Sequence, residues 1–266
     1  MFNFLRYDFI QRAFIAGIMV AVIIPLIGTI VVNRRTSTVG DALSHTTLSG
    51  LFFAVIIGIN PILGGILISI VSAFLIEYLR SRFPKNGDMA TAIVMSLGVG
   101  LSSILSDFVQ GAQNFESFLF GSIISVSNED LIIIGIITII TLILYYFLYY
   151  GLLFVSVDKT SAKLSGVNTV FVEYLFTLLL AIVIAISARI VGVLIVSSLM
   201  ILPVASAMYI GKSYKSTVII SIFFGVIYFI IGLSLAALFN LKPGGSIIIS
   251  SVIGLLLVLL FNPKSK

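Results

Sequence analysis

Residues 130–153, DLIIIGIITIITLILYYFLYYGLL, open on one acid and then run for 23 positions without another charge. An α-helix climbs about 1.5 Å per residue and the hydrocarbon layer of a bilayer is about 30 Å thick, so roughly 20 apolar residues make one crossing. The stretch reads as a membrane-spanning helix. Apolar and polar residues do not alternate along it, which excludes the strand of a membrane β-barrel.

Eight further runs have the same character, at approximately residues 13–32, 42–59, 61–79, 89–109, 171–187, 190–209, 217–239 and 246–261. Turn-forming stretches separate them: NRRTSTVG, NP, RSRFPKNGD, VDKTSAKLSGVN, SAR, GKSYKS and NLKPGGS. Only Asn60 and Pro61 divide the second run from the third, so the boundary there is the least defined. With 60% apolar residues, 9% charged and a mean hydropathy of +1.26, the chain is expected to be an all-α polytopic membrane protein of about nine crossings, eight to ten. The longest connection, residues 110–129, is itself half apolar, so one transmembrane domain over 1–266 is expected.

Lys and Arg collect in cytoplasmic loops. If NRRTSTVG faces the cytoplasm, 11 of the 15 Lys and Arg do so, and Arg6, Arg12, Arg189 and Lys242 stay outside. The N-terminus is then outside and the C-terminus cytoplasmic, which requires an odd number of crossings. Nine satisfies it. Residues 2–12 offer an alternative, a short helix lying in the interface. The net charge of +5 is thus a sign of topology, dispersed over short loops with no continuous basic face for a nucleic acid. No small-residue cleavage site follows the first run, which reads as a retained crossing. The absence of Cys removes disulfides and thiolate chemistry.

Catalytic groups are scarce. SAMYIGKS (206–213) ends like a phosphate-binding loop, yet Ser206 stands where the pattern requires Gly, and the segment closes a membrane helix. The chain is not expected to hydrolyse ATP or to be an enzyme. One dense polar group remains, GDALSHTTLSG at 40–50, which holds the only histidine.

On a helix, Asp41, Ser44, His45, Leu48 and Ser49 share one face. Ala42, Thr46, Gly50, Ala54 and Gly58 form a line of small residues beside it, where another helix can come close. A carboxylate and an imidazole one turn apart can reach the same ion, a donor set suited to zinc, manganese or ferrous iron. Two ligands hold an ion loosely, as transport requires, and a homodimer would bring a second pair to its two-fold axis. The ion is cargo, and no permanently bound cofactor is expected. The competing reading is that Asp41 caps the helix N-terminus and His45 sits at the water interface.

RRTSTVGDALSHTTLSG (34–50) resembles the signature of the membrane permeases of bacterial zinc, manganese and iron ABC uptake systems. There an Arg-containing loop leads into Gly-Asp, a small residue, an apolar residue, Ser or Ala, and His. FLFGSIISVSNEDL (118–131), VDKTSAKLSGVN (157–168), VGVLIVSSLMILPVASA (191–207) and PGGSI (243–247) follow in the order of that family. The resemblance implies a fold similar to the cobalamin and siderophore importers with fewer helices. It implies two permease copies around the pathway, cytoplasmic ABC ATPase subunits that power it, and an extracellular or periplasmic metal-binding protein that delivers the ion. Asp41 and His45 then line the metal path. VDKTSAKLSGVN resembles the segment that docks on the ATPase, with Asp158, Ala162 and Gly166 at four-residue intervals along the flank it would present.

VGVLIVSSLMILPVASA supports two readings. As a pore-lining helix, Pro203 frees a carbonyl and Ser197, Ser198 and Ser206 supply hydroxyls, with Ser44 and Ser49 as further candidates for the pathway. As a packing helix, which is favoured, its Ser and Ala serve close approach and Met200 is filler. Asp107, Glu116, Glu129 and Asp130 are expected on a solvated outer rim that steers cations inward. Two depths are open for Asp41: the second helix starts deep in the layer, or the pair forms an inner gate. The function that fits best is a permease subunit in the bacterial cell membrane, passing a divalent metal inward by alternating access. An ion-gradient-driven secondary carrier and a permease for a metal chelate such as a siderophore are the alternatives.

Overall fold

The computed structural model describes residues 8–83, 85–109, 126–239 and 241–261. Its helices are α1 (Asp8–Asn33), α2 (Val39–Ile57), α3 (Pro61–Arg82), α4 (Gly87–Ser106), α5 (Asn128–Val157), α6 (Lys159–Leu164), α7 (Thr169–Val191), α8 (Val193–Ile210), α9 (Tyr214–Phe239) and α10 (Pro243–Phe261). Among the described residues, nine are long and apolar enough to cross a membrane, one for each run read from the sequence. The tenth, α6, is a six-residue connector. Residues 8–12 are the first turns of α1 and continue into its span. The remainder of the expected interfacial helix, Arg6, Glu116, residues 118–125, Lys264 and Lys266 lie outside the described residues.

The ill-defined boundary at Asn60 and Pro61 is built from local chemistry. Gly58 ends α2 with φ 76°, and its N–H and that of Ile59 bond back to Val55 and Ala54. Asn60 then caps α3 by accepting from the Ile62 N–H at 2.9 Å, and Pro61 fills the first helical position, where its missing donor does no harm.

α1, α2 and α7 form the buried centre, while α4, α5 and α10 turn broad apolar faces outward. Ile132, Ile139 and Phe147 on α5 are well exposed, as a lipid-facing surface requires. The predicted line of small residues works as expected along most of its length. A Cβ on Gly50 would lie 2.5 Å from the Gly64 carbonyl oxygen, and one on Gly64 would lie 2.4 Å from the Ala54 Cβ, so α2 and α3 touch backbone to backbone. On the other flank, Gly98 of α4 sits against the main chain of His45 and Thr46.

Ion pairs mark the two ends of the bundle. At one, Arg189 of α7 meets Asp130 of α5 at 3.3 Å and Arg12 reaches Asn128 at 3.4 Å. At the other, Lys159 and Arg34 converge on Glu173. The acidic rim is corrected in one member. Asp107 and Glu129 are exposed, but Asp130 is buried, because its carboxylate takes Arg189 and also closes a capping box with Ser127 at the start of α5.

Forcing a side chain into the α2–α3 contact should destabilise the bundle. Overpacking a helix contact costs about 1–3 kcal/mol, so Gly64→Val is expected to lower the thermal unfolding midpoint in detergent by several degrees. Gly100→Ala, whose Cβ would meet nothing within 4 Å, should not lower it. An unchanged midpoint for Gly64→Val contradicts the close approach.

Candidate functional site

The first turn of α2 carries the site. Thr38, not Asp41, occupies the N-cap, and Asp41 stands one turn inside the helix as the acid of that turn. Its carboxylate is engaged elsewhere: Oδ1 accepts a hydrogen bond from Ser197 Oγ of α8. The capping alternative is therefore replaced by an interhelical contact, and a hydrogen bond to a charged group contributes roughly 1.5–3 kcal/mol. Both Asp41 and His45 are partly exposed within the protomer, whereas Ser44 between them is fully buried.

α4 holds His45 from behind. Ser102 Oγ donates to the His45 carbonyl at 3.4 Å and also to Gly98, and the Gly98 backbone leaves no space for a larger residue. The imidazole itself makes no hydrogen bond with the described residues, so its ring nitrogens are available to a ligand. Met200 of α8 is buried with its thioether against Gly40 and its backbone against Gly28 of α1, consistent with the filler role. A Cβ on Gly40 would lie 2.3 Å from the Met200 terminal methyl, so a larger residue there requires the flexible end of Met200 to move.

The other polar candidates divide. Ser49 donates to its own helix at Thr46 (2.7 Å), Ser198 to Leu194 (3.3 Å), and Ser206 bonds Leu202 and the Tyr228 hydroxyl, each at 2.9 Å. These satisfy themselves locally and do not converge on Asp41. Ser44 Oγ is buried without a hydrogen-bond partner in the bundle. Ser197 alone among the α8 hydroxyls joins the pair.

Tyr146, Phe147 and Tyr150 of α5 are 71–78% exposed and form an aromatic band on the outside of the bundle. Tyr145 meets the Tyr214 hydroxyl at 3.1 Å, which brings the first residue of α9 to the same level. Met200, against Gly40, lies ten residues along α8 from Ile210, about 15 Å and half of the roughly 30 Å hydrocarbon layer. The first turn of α2 therefore lies level with the middle of α8. Arg34 and Thr36 of the connection border a small cavity with Ala73, Ile76 and Glu77 of α3 and Phe176 of α7, while Arg35 and Thr38 are exposed.

α6 departs from its expected presentation. Asp158 is its N-cap, accepting from the N–H groups of Thr160 and Ser161 at 3.0 and 3.1 Å and from Ser161 Oγ at 2.5 Å. Gly166 ends it at φ 83°, a left-handed conformation that favours glycine. Ala162 is fully buried. Asp158 caps the helix and Ala162 seats it; of the three residues only Ala162 turns inward, while Asp158 and Gly166 are exposed together with Lys159, Thr160, Lys163 and Leu164.

Among the described residues of one protomer, no three His, Cys, Asp or Glu gather at one point. The site is one carboxylate, one imidazole and the hydroxyl that orients the carboxylate, set midway along a bundle of membrane helices. That combination defines a transport protein of the membrane. The chain belongs to the ABC 3 transport family, whose model matches residues 6–262. It is 34% identical over 257 residues, 96% of both chains, to the "Probable metal transport system membrane protein" of Treponema pallidum (strain Nichols). It is 30% identical over 260 residues to the manganese transport system membrane protein MntC of Listeria monocytogenes serovar 1/2a, covering 98% of this chain and 93% of the relative. Among solved structures it resembles PsaBC from Streptococcus pneumoniae in complex with Fab, with a TM-score of 0.89 and 28% identity over 98% of this chain and 95% of the other.

The cap of α6 makes a pH prediction. Hydrogen bonds from Ser161 and then from the Thr160 backbone hold the Asp158 carboxyl below its ordinary pKa of 3.8. A depressed folded-state pKa means that the stabilisation is fully present above the ordinary value and is lost as pH falls through the lower one. Amide exchange in α6 should stay slow from pH 7 down to the ordinary carboxylate range and accelerate only below it. Asp158→Ala should expose these amides at every pH, while Asp158→Asn, also a good cap, should protect them with no acid transition.

Proposed function

We propose that this chain is the membrane permease subunit of an ABC importer that carries a divalent transition metal, zinc, manganese or iron, into the cytoplasm. The observation that carries this reading is the Asp41 carboxylate, oriented by Ser197 and followed one turn later by the free His45 imidazole, in a family whose named relatives include manganese and zinc transport proteins. The donor set suits these borderline cations, which are cargo and not a resident cofactor. Two protein ligands per chain favour a homodimer in which facing copies of Asp41 and His45 complete the shell.

Basic loops remain inside, so the end carrying Lys159, Arg80 and Arg82 faces the cytoplasm together with the C-terminus. Cytoplasmic ABC ATPase subunits then meet the exposed flank of α6, and an extracellular or periplasmic metal-binding protein delivers the ion at the Arg189 end. The chain performs no hydrolysis itself. In the outward state Asp41 and His45 exchange the ion's water for oxygen and nitrogen, and Ser197 keeps the carboxylate aimed into the path. A shift of α2 against α8 separates Asp41 from Ser197, weakens the grip and lets the ion leave toward the cytoplasm.

Uptake of radiolabelled manganese or zinc by cells carrying the whole transporter tests this. Asp41→Asn combined with His45→Ala should assemble with the ATPase and accumulate almost no metal; normal accumulation overturns the ligand assignment. Ser197→Ala should weaken metal binding roughly 10- to 100-fold, the usual effect of losing a group that orients a ligand. Uptake should stop on ATP depletion and survive collapse of the proton gradient, whereas the reverse pattern would identify a secondary carrier.

A further inference from the structure

Glu173, about one turn into α7, takes a different cation on each carboxylate oxygen. Lys159 Nζ lies 2.6 Å from Oε2 and Arg34 Nη2 lies 3.2 Å from Oε1. Lys159 is the first residue of α6. Arg34 opens the connection that ends at the N-cap of α2, one turn before Asp41. One side chain therefore ties the surface connector to the segment that positions the candidate metal ligand.

The two halves of this link differ in strength. Lys159 is 60% exposed, so water readily replaces its contact. The Arg34 side chain is only 16% exposed and lies over the Phe176 ring, 5.4 Å from its centroid and one turn along α7 from Glu173. Burial opposes the charge on Arg34, and Glu173 is the main group that favours it. Removing Glu173 would leave a shielded cation poorly compensated, whereas removing Lys159 would not.

The connection is also short and stiff. α1 ends with Arg35 in the left-handed region at φ 55°, where its N–H bonds Val32 and that of Thr36 bonds Val31, both at 3.0 Å. Displacement of Arg34 must be passed on to the start of α2. Beside Lys159 and Glu173 a cleft of about 450 Å³ opens between α3 and α7, lined also by Glu77, Tyr78 and Tyr174. It gives the Lys159 arm room to move without repacking the bundle.

Resting on the ABC permease reading above, we propose that Glu173 is a positioning residue that transmits movement of α6 to the 34–38 connection and so to Asp41. When a partner displaces α6, the start of α7, joined to it through residues 165–168, moves with it, and the shielded Glu173–Arg34 contact carries the connection along even where the exposed Lys159 contact yields. Metal passage is thereby tied to movement at the cytoplasmic surface.

The test uses the complete transporter, permease with ATPase and binding protein, in proteoliposomes, with Mn²⁺ and Zn²⁺ as probes. Binding of either ion, basal ATP hydrolysis and ions imported per ATP are measured for wild type, Glu173→Gln and Glu173→Asp. With binding and basal hydrolysis kept within about twofold, Glu173→Gln should lower ions imported per ATP roughly tenfold, inside the usual range for coupling between sites, and Glu173→Asp should recover most of that ratio. A wild-type ratio in Glu173→Gln overturns the inference. So does a parallel fall of binding, hydrolysis and import in proportion to lost folded complex, which would mark a purely structural role. A wild-type complex that neither binds nor imports either ion overturns the proposed function and this inference together; one that does, with an unchanged Glu173→Gln ratio, overturns this inference alone.

Discussion

A carboxylate placed midway through an apolar bundle needs hydrogen-bond donors or a cation, because an uncompensated charge there costs several kcal/mol. Asp41 is supplied with one hydroxyl, from Ser197. Much of the surrounding architecture follows from keeping that arrangement in place. The connection into α2 brings with it the shielded charge of Arg34, which Glu173 meets. Gly40 meets the flexible end of Met200, which a larger residue there would have to move, and Gly50, Gly64 and Gly98 let α3 and α4 clamp α2 from two sides. These flanks hold the backbone of the candidate site while the Asp41 and His45 side chains stay partly exposed.

That balance suits carriage better than storage. On the proposed reading each chain supplies only two of the donors, so a shift of α2 against α8 can undo a shell that a closed four-ligand site within one chain would keep. The buried centre of α1, α2 and α7 gives such a movement a stable frame, and the outward apolar faces of α4, α5 and α10 give the frame its fit to lipid. α5, at 30 residues, is longer than one crossing needs, and its last two turns extend past Tyr150 to reach α6.

The helices were legible because each apolar run carries its own punctuation. Asn60 and Pro61 announced a cap and a first helical residue even though they left almost no loop, and the small residues of α2 announced close neighbours. Asp41 and His45 were legible as a pair because a four-residue spacing fixes a shared helical face whatever the tertiary structure. Ser197 was visible only as one of several hydroxyls, since 156 residues separate it from Asp41 and no periodicity links them. The packing of the first turn of α2 against the middle of α8 was hidden for a related reason: hydropathy measures the length of a run, not where its ends meet other helices. Ala162 and Asp130 show the same limit, because spacing groups residues on a face and charge marks them as polar, but neither tells which side of the bundle will cover them.

The central claim is that Asp41 and His45 together hold the transported ion. X-ray absorption at the metal edge of the purified, metal-loaded permease addresses it directly, since imidazole carbons scatter at characteristic outer-shell distances. With manganese or zinc bound, a first shell of oxygen and nitrogen near about 2.0–2.2 Å with imidazole scattering is predicted, and His45, the only histidine in the chain, is its one possible source within the permease. A spectrum of oxygen ligands alone, or imidazole scattering that persists in His45→Ala, would contradict it.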